Sequence, residues 1–180
     1  QTCFLHIGEG SNLLFTKDYP GVILHSSIKG IEIEANTDTD ECLVTVGAGE
    51  KWDDLVAKTI KAGLYGLENL SHIPGEVGAA AVQNIGAYGV EVADHIESVS
   101  VFEWETKKNL QFSVDECDYG YRKSRFKTTD ANRFVITHVT FKLYKKFKPC
   151  LSYSGLLKHL ENNHISASSL TPQKLREIII

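Results

Sequence analysis

The most constraining feature of this sequence is a tract between Gly63 and Gly89 that holds six glycines in 27 residues. Glycine adopts positive φ angles and lets other groups approach the backbone closely. The tract is too apolar for a linker and too rich in glycine for regular structure, so we predict a loop that wraps tightly around a ligand. A glycine-rich loop that merely packs under a helix is the alternative.

The second half of this tract combines small residues with polar groups at one end. A run of small residues lets a flat aromatic ring system lie against the backbone. Gln83 and Asn84 supply amide donors and acceptors beside that wall, and Tyr88 can direct its hydroxyl group toward a ligand. This pattern favours a binding site for a planar molecule.

A second glycine loop, Gly8-Glu9-Gly10-Ser11-Asn12, follows an apolar segment at 3–7 that is predicted to be a buried strand. The third glycine of a dinucleotide fingerprint is missing, and the apolar run at 13–15 is predicted to begin a strand rather than a helix. The loop can instead form a nest of successive backbone N–H groups that binds phosphate oxygens. An ordinary turn is the alternative.

A basic run follows Gly120 and Tyr121, with four cations within residues 122–127. Such a run usually forms a solvated face. Arg122, however, follows two residues that can anchor it, so it can point inward and present its planar set of donors to an oxyanion.

The remaining pattern predicts an α+β fold. Period-two alternation or β-rich composition predicts strands at 22–25, 31–34, 42–46, 96–104 and 134–143, the last with Val135, Val139, Phe141 and Leu143 on one face. Helical periodicity predicts a helix within 50–62, with Trp52, Leu55, Val56 and Ile60 on one stripe. After Pro149 the pattern becomes helical, with a stripe of Leu156, Leu157 and Leu160 and an N-cap at Thr171-Pro172. A domain boundary is predicted near 145–150.

Composition excludes several classes of protein. Lys and Arg total 19 against 23 Asp and Glu, a net charge of −4 that disfavours binding to a nucleic-acid backbone. No apolar stretch approaches the ~18 residues of a membrane span. The seven histidines and four cysteines show no metal-ligand spacing and no CxxC pair, so we predict no metal, free thiols and a cytoplasmic location. Because both ends fall within elements that still have apolar faces, we expect an internal piece of a longer protein.

Taken together, the motifs resemble those of the flavin-dependent UDP-N-acetylenolpyruvoylglucosamine reductases (UDP-N-acetylmuramate dehydrogenases) of peptidoglycan precursor synthesis. The residues that carry the resemblance are Gly8–Asn12, Gly66–Leu70 with Ile73–Gly75, Gln83–Gly89 and Gly120–Arg122. The resemblance implies an FAD-binding module of the vanillyl-alcohol-oxidase (PCMH-type) kind, followed by the start of a substrate-binding domain. The implied division is a remnant of a first FAD-binding lobe at 1–18, a second lobe at 19–148 and the substrate-binding part at 149–180.

The resemblance also implies roles for individual residues. Non-covalent FAD would be bound by Gly8, Glu9, Gly10, Ser11, Asn12, Ile73, Pro74, Gly75, Gly78, Ala79, Gln83, Asn84 and Gly86. Arg122 would be catalytic and steady the developing enolate, while Tyr88, Tyr121 and Tyr153 would contact the UDP-sugar substrate. NADPH would supply the hydride. Cys3 and His6, just before the first loop, are the alternatives for a covalent flavin bond.

The chain departs from the pattern of these reductases in two respects. It contains no counterpart of the proton-donating serine segment or of the late catalytic glutamate, so we expect little activity from it alone. Ala79 and Ala80 stand where some relatives have serine. A non-catalytic module that binds flavin or a UDP-sugar, and a related FAD-dependent oxidase, therefore stay open as alternatives.

Overall fold

The computed structural model describes residues 4–35 and 38–180 and confirms a mixed α+β fold. The strands are β1 (Phe4–Ile7), β2 (Val22–His25), β3 (Ile31–Ala35), β4 (Glu41–Gly47), β5 (Gly86–Ala87), β6 (Val90–Glu91), β7 (Ile96–Glu103), β8 (Lys108–Ser113) and β9 (Phe134–Tyr144). The helices are α1 (Trp52–Lys61), α2 (Val77–Gln83), α3 (Ser154–Asn162) and α4 (Pro172–Ile179). Short 3-10 turns cover Glu68–Leu70, Val92–His95, Asp115–Cys117 and Ala167–Ser169.

The central element is an antiparallel five-stranded sheet with the order β3-β4-β9-β7-β8. In β4 the predicted alternation is confirmed, because Cys42, Val44 and Val46 are all buried. Strand β8 had no clear sequence signal, since most of its side chains are exposed, although Phe112 packs against the core. It extends the sheet by pairing with β7.

The inward face of β9 differs from the prediction at one end. Val139, Phe141 and Leu143 are buried as predicted, but Ile136 is buried in place of Val135. The pairing of β9 with β7 shifts by one residue between Ser100 and Val101. Such a bulge moves the inward face from odd to even positions, and period-two alternation does not anticipate it.

Helix α1 covers one face of this sheet. Its predicted stripe of Trp52, Leu55, Val56 and Ile60 is buried. The indole of Trp52 packs edge-on against Phe141, with ring centroids 5.9 Å apart, and donates a hydrogen bond to the Leu70 carbonyl at 2.8 Å. This anchors α1 to the start of the glycine-rich tract.

Two local predictions are wrong. The glycine-rich tract contains helix α2, which lies against β4 and β9, because its small residues allow a close approach to the sheet. A Cβ at Gly78 would stand 2.9 Å from the Cβ of Ala48, so a larger residue would force the helix away. Residues 13–15 form an irregular segment instead of a strand, and the side chain of Leu14 is 88% exposed.

The chain after residue 149 forms a second apolar cluster around Leu156, Leu175 and Ile179. Leu160 is also buried, but Leu157 is 40% exposed, so it lies off the predicted stripe. Thr171 caps α4 as predicted by accepting a hydrogen bond from the Lys174 N–H. Arg176 of α4 donates two hydrogen bonds to the Asp53 carboxylate of α1, at 2.6 and 2.8 Å, which joins this cluster to the main body.

Strands β1 and β2 form a separate parallel pair that carries the first glycine loop at the end of β1. This pair joins residues on both sides of the predicted boundary at 18/19. Cys3, the first residue of the predicted strand at 3–7, lies outside the described residues. None of the helices in the described ranges is long and apolar enough to cross a membrane.

Candidate functional site

The two glycine motifs and Arg122 meet around one pocket of about 380 Å³, although Gly8 and Arg122 are 114 positions apart in the sequence. That volume falls within the ~300–1,000 Å³ of typical ligand sites. The lining includes Arg122 and every predicted cofactor-binding residue except Asn84 and Gly86, namely Gly8, Glu9, Gly10, Ser11, Asn12, Ile73, Pro74, Gly75, Gly78, Ala79 and Gln83. The tertiary structure therefore brings together most of the residues that the motifs predicted.

The loop at 8–12 forms one side of the pocket. Gly10 has a φ of 80°, and its carbonyl accepts a hydrogen bond from the Leu13 N–H. In the described part of the chain, no protein group accepts a hydrogen bond from the backbone N–H groups of residues 9–12. Free N–H groups in succession on a tight loop are suited to anionic oxygens.

Helix α2 and the residues before it form the opposite side. Asn12 donates a hydrogen bond to the Gln83 side chain at 3.1 Å, which links the loop to the end of the helix. A Cβ at Gly8 would stand 2.9 Å from the Cβ of Ala79, so the loop and the helix touch at a point where only glycine fits. Beside this contact, the loop and the helix line the pocket together.

The titratable side chains of His6 and Glu76 line the pocket, and His25 is hydrogen-bonded to Glu76. The carboxylate of Glu76 is 7% exposed and bonds His25 Nε2 through both oxygens, at 2.8 and 2.9 Å. Burial, with the charge of His25, lowers the pKa of His6, so its neutral form is favoured. Among the described residues, buried His6 Nε2 has no hydrogen-bond partner. A buried polar atom without a partner at a pocket wall is suited to a ligand with a complementary group.

The electrostatics of the first loop depend on Glu9. Without a neighbouring cation, the negative charge of its carboxylate would disfavour an anion bound in the pocket. Lys51 Nζ lies 3.4 Å from it and offsets part of its charge. Within residues 4–35 and 38–180, no cluster of His, Cys, Asp and Glu side chains is arranged to hold a metal ion.

Arg122 lies on a tight turn at the edge of this pocket. Gly120 and Lys123 exchange backbone hydrogen bonds across the turn, at 3.1 and 2.9 Å. The guanidinium of Arg122 donates a hydrogen bond to the Gly86 carbonyl at 3.2 Å, whereas Lys123 pairs with Asp118 on the surface at 2.8 Å. Arg122 is thus an exposed residue and the predicted inward position is not confirmed, although Arg122, unlike Lys123, is among the residues that line the pocket.

The three predicted substrate-binding tyrosines lie outside this pocket. The rings of Tyr88 and Tyr153 meet edge-on, with centroids 5.6 Å apart, although 65 positions separate them in the sequence. Asn69 holds this region together by donating hydrogen bonds to the carbonyls of Tyr88 and Cys150, at 3.0 and 2.9 Å. Tyr121 is 84% exposed on the turn beside Arg122.

Asn84 and Gly86 have structural surroundings that differ from the predicted cofactor contacts. Asn84 ends α2 with a φ of 46° and is 1% exposed, and its side-chain amide is hydrogen-bonded within the protein. Gly86 lies in β5, and its carbonyl accepts the bond from Arg122.

His6, named from the sequence only as an alternative for a covalent flavin bond, lines the pocket, and sequence reasoning missed several other lining residues, including Ser26, Ala48, Trp52, Glu76 and Ile136. Trp52 belongs to an apolar helical stripe that indicates a core position and nothing more, and the predicted alternation of β9 placed Val135 instead of Ile136 on the buried face. Glu76 lies within the recognised motif and was the one with a usable signal, since a carboxylate between glycines in an apolar tract needs a partner.

Comparison with known proteins supports the same interpretation. A family described as an FAD binding domain matches residues 1–106. The UDP-N-acetylenolpyruvoylglucosamine reductase of Bacteroides fragilis is 52% identical over 158 residues, which cover 88% of this chain and 47% of that protein. The reductase of the same name from Porphyromonas gingivalis is 46% identical over 174 residues, covering 97% of this chain and 50% of that protein. The chain thus spans about half the length of the curated relatives it matches.

Solved structures show the same fold. UDP-N-acetylenolpyruvylglucosamine reductase from Thermus caldophilus superposes with a TM-score of 0.61 at 27% identity, over 95% of this chain and 58% of that one. Cholesterol oxidase from B. sterolicum superposes with a TM-score of 0.53 at 15% identity, over 78% of this chain and 29% of that one, and shows the fold alone. The fold is an FAD-binding module of the vanillyl-alcohol-oxidase kind. The chain belongs to the FAD binding domain family, in the group of the UDP-N-acetylenolpyruvoylglucosamine reductases.

Proposed function

We propose that this chain binds FAD non-covalently and forms the FAD-binding core of an enzyme that reduces UDP-N-acetylglucosamine enolpyruvate to UDP-N-acetylmuramate with NADPH, in peptidoglycan precursor synthesis. The observation that carries the proposal is that the loop at 8–12, helix α2 and Arg122 surround one pocket. The free N–H groups of the loop, the glycine contact at Gly8 and the unpartnered nitrogen of His6 all fit an anionic ligand with a flat ring.

Different lining residues are suited to different parts of FAD. The N–H groups of residues 9–12 are suited to the diphosphate of FAD, a group that FMN lacks. Gly75, Gly78 and Ala79 would form the close wall for the ring system, with Gln83 as an amide contact. FAD, when bound, supplies the two-electron chemistry that connects NADPH to the substrate.

Arg122 would act on charge that develops in the substrate. Addition of a hydride to the β-carbon of the enolpyruvyl group places negative charge on the enolate and carboxylate oxygens. A planar guanidinium meets two such oxygens at once and stabilises that charge. Tyr121 beside it, and the Tyr88–Tyr153 pair, would contact the UDP-sugar; the edge contact of the two rings supports a shared role.

The remaining assignments rest on the same proposal. Residues 149–180 would begin the substrate-binding domain, which the separate apolar cluster around Leu156 and Leu175 supports. Free thiols at Cys42, Cys117 and Cys150 fit the cytoplasm, where the nucleotide cofactors and UDP-sugars are available.

The identity of the bound flavin tests the proposal that the chain binds FAD non-covalently. The intact protein is denatured with acid, and the supernatant is analysed by chromatography against FAD and FMN standards. We expect FAD in the supernatant. FMN, or flavin that stays with the precipitated protein, would contradict non-covalent FAD binding.

An activity assay tests the proposal that the enzyme reduces the enolpyruvyl UDP-sugar with NADPH. Oxidation of NADPH by the intact protein is followed with and without the enolpyruvyl UDP-sugar, and the product is analysed for a mass gain of two hydrogens. We expect oxidation that depends on the sugar. Bound FAD without any turnover would favour the binding-module alternative, whereas flavin reduction by an alcohol would favour an oxidase.

A further inference from the structure

The backbone of Arg122 adopts an unfavourable conformation. It is the second central residue of the turn at 120–123 and has a φ of 54°. A residue with a Cβ rarely adopts a positive φ, and such a conformation persists only where the surrounding structure holds it. The contacts that hold this turn therefore matter for where Arg122 lies.

Three of those contacts lead to the C-terminal end of α2 and the residues just after it, while the Lys127 side chain donates another hydrogen bond to the Arg122 carbonyl at 3.2 Å. The Ser124 hydroxyl donates a hydrogen bond to the Val82 carbonyl at 2.5 Å, and the Asn84 amide donates one to the Gly120 carbonyl at 2.9 Å. Together with the bond from Arg122 to the Gly86 carbonyl, they attach the turn to residues 82, 84 and 86, which lie at the end of the pocket wall and just after it. Ser124 is fully buried, so water does not compete for its hydroxyl group.

The Asn84 side chain makes three hydrogen bonds within the protein, one of them the bond to Gly120. Its Nδ2 also donates to Glu91 Oε2 at 2.8 Å, and its Oδ1 accepts from the Ala93 N–H at 3.1 Å. A primary amide has two N–H donors. Both donors have protein partners, so Asn84 has no N–H group free for a ligand.

We propose that Asn84 and Ser124 are positioning residues that hold Arg122 at a fixed place relative to the wall formed by α2. The inference deepens the proposed function, because it concerns the guanidinium assigned to the substrate's developing charge. Val82, which is itself an attachment point, and Gln83, which lies between Val82 and Asn84, both line the pocket. A displacement of the turn would thus change the distance between the Arg122 guanidinium and a ligand bound against α2.

Amide hydrogen exchange of the intact protein tests the attachment itself. Ser124→Ala should increase exchange at Gly120 and Lys123 about fivefold, the effect of one lost hydrogen bond. Asn84→Asp, which retains an acceptor for Ala93 but places a carboxylate against Glu91 and the Gly120 carbonyl, should increase it more. Thr59→Val is the matched control, since it removes a buried hydroxyl that donates to a backbone carbonyl in α1. Unchanged exchange at the turn in Ser124→Ala would overturn the proposal, even if Asn84→Asp does not fold.

Kinetics test the consequence for Arg122. Ser124→Ala should lower kcat about 10²-fold, the effect of misplacing a group by about 1 Å, with little change in KM and none in flavin reduction by NADPH. Combined with Arg122→Lys, it should lower kcat no further than Arg122→Lys alone, because one residue acts through the other. If the double variant instead loses kcat by the product of the two single-variant factors, the proposal is overturned. If the unmodified protein does not oxidise NADPH with the UDP-sugar, the proposed function fails, and the exchange experiment still decides the attachment.

Discussion

The contact between Gly8 and Ala79 can be tested by adding and removing a single methyl group. A Cβ added at Gly8 would lie 2.9 Å from the Ala79 Cβ, whereas nonbonded carbons prefer about 3.5–4.0 Å. Both atoms are fixed to backbone, so the loop and the helix must separate by roughly 1 Å. Overpacking of this kind costs about 1–3 kcal/mol of the free energy of unfolding. The φ of Gly8 is not positive, so Gly8→Ala adds no conformational strain.

A second substitution tests the same contact from the side of the helix. Ala79→Gly costs about 1 kcal/mol in a helix and removes the atom that Gly8→Ala would strike. The double variant should therefore be about as stable as Ala79→Gly alone, instead of losing the sum of both. Gly120→Ala is the stability control, because its added Cβ would meet only the Lys123 side chain, at 3.8 Å.

The assay is urea unfolding followed by the fluorescence of Trp52 and Trp104, with FAD affinity measured in parallel. We expect Gly8→Ala to weaken FAD binding. The double variant should recover part of the affinity, because the loop at 8–12 and helix α2 return to their original separation. A Gly8→Ala variant within about 0.5 kcal/mol of the unmodified protein, the ordinary range for surface changes, would refute the contact. Strictly additive effects of the two substitutions would do so as well.

Two further outcomes are expected. Arg122→Lys in the intact protein should lower kcat about 10²–10³-fold with little change in KM, because a preorganised donor is lost; Lys123→Arg should be nearly silent, and equal small effects of both would leave Arg122 a surface charge. The hydrogen bonds from Arg176 lower the pKa of Asp53 below its ordinary 3.8, so the pair stabilises the fold above that value and the contribution disappears as pH falls through the lowered pKa. At this partly exposed site it should be worth about 0.5–1 kcal/mol, measured as urea stability against pH; an Asp53→Asn variant with the same acid sensitivity would argue against it.

The features that the sequence determined by itself are those encoded within a few neighbouring residues. Alternation along β4 and the stripe of α1 depend only on the geometry of a strand and of a helix, so each could be predicted from its own segment. The glycine motifs likewise identified most of the pocket lining, since close approach to a ligand requires small residues wherever they end up in space. The N-cap at Thr171 was predictable for the same local reason.

Tertiary structure decided the features that depend on contacts between distant segments. Helix α2 forms within a glycine-rich tract because Gly78 packs against Ala48, a contact that outweighs weak helix propensity. The bulge in β9 is set by its pairing with β7, so periodicity predicted Val135 where the structure buries Ile136.

The division between ligand contacts and internal contacts was also decided by tertiary structure. Asn84 and Gly120 are 36 residues apart and Asn12 and Gln83 are 71 apart, yet each pair shares a hydrogen bond. From the sequence, the amides of Gln83 and Asn84 are adjacent and equivalent. Only the fold makes Gln83 line the pocket and Asn84 hold the turn of Arg122, because the partners of a buried polar group are chosen by the chain segments packed around it.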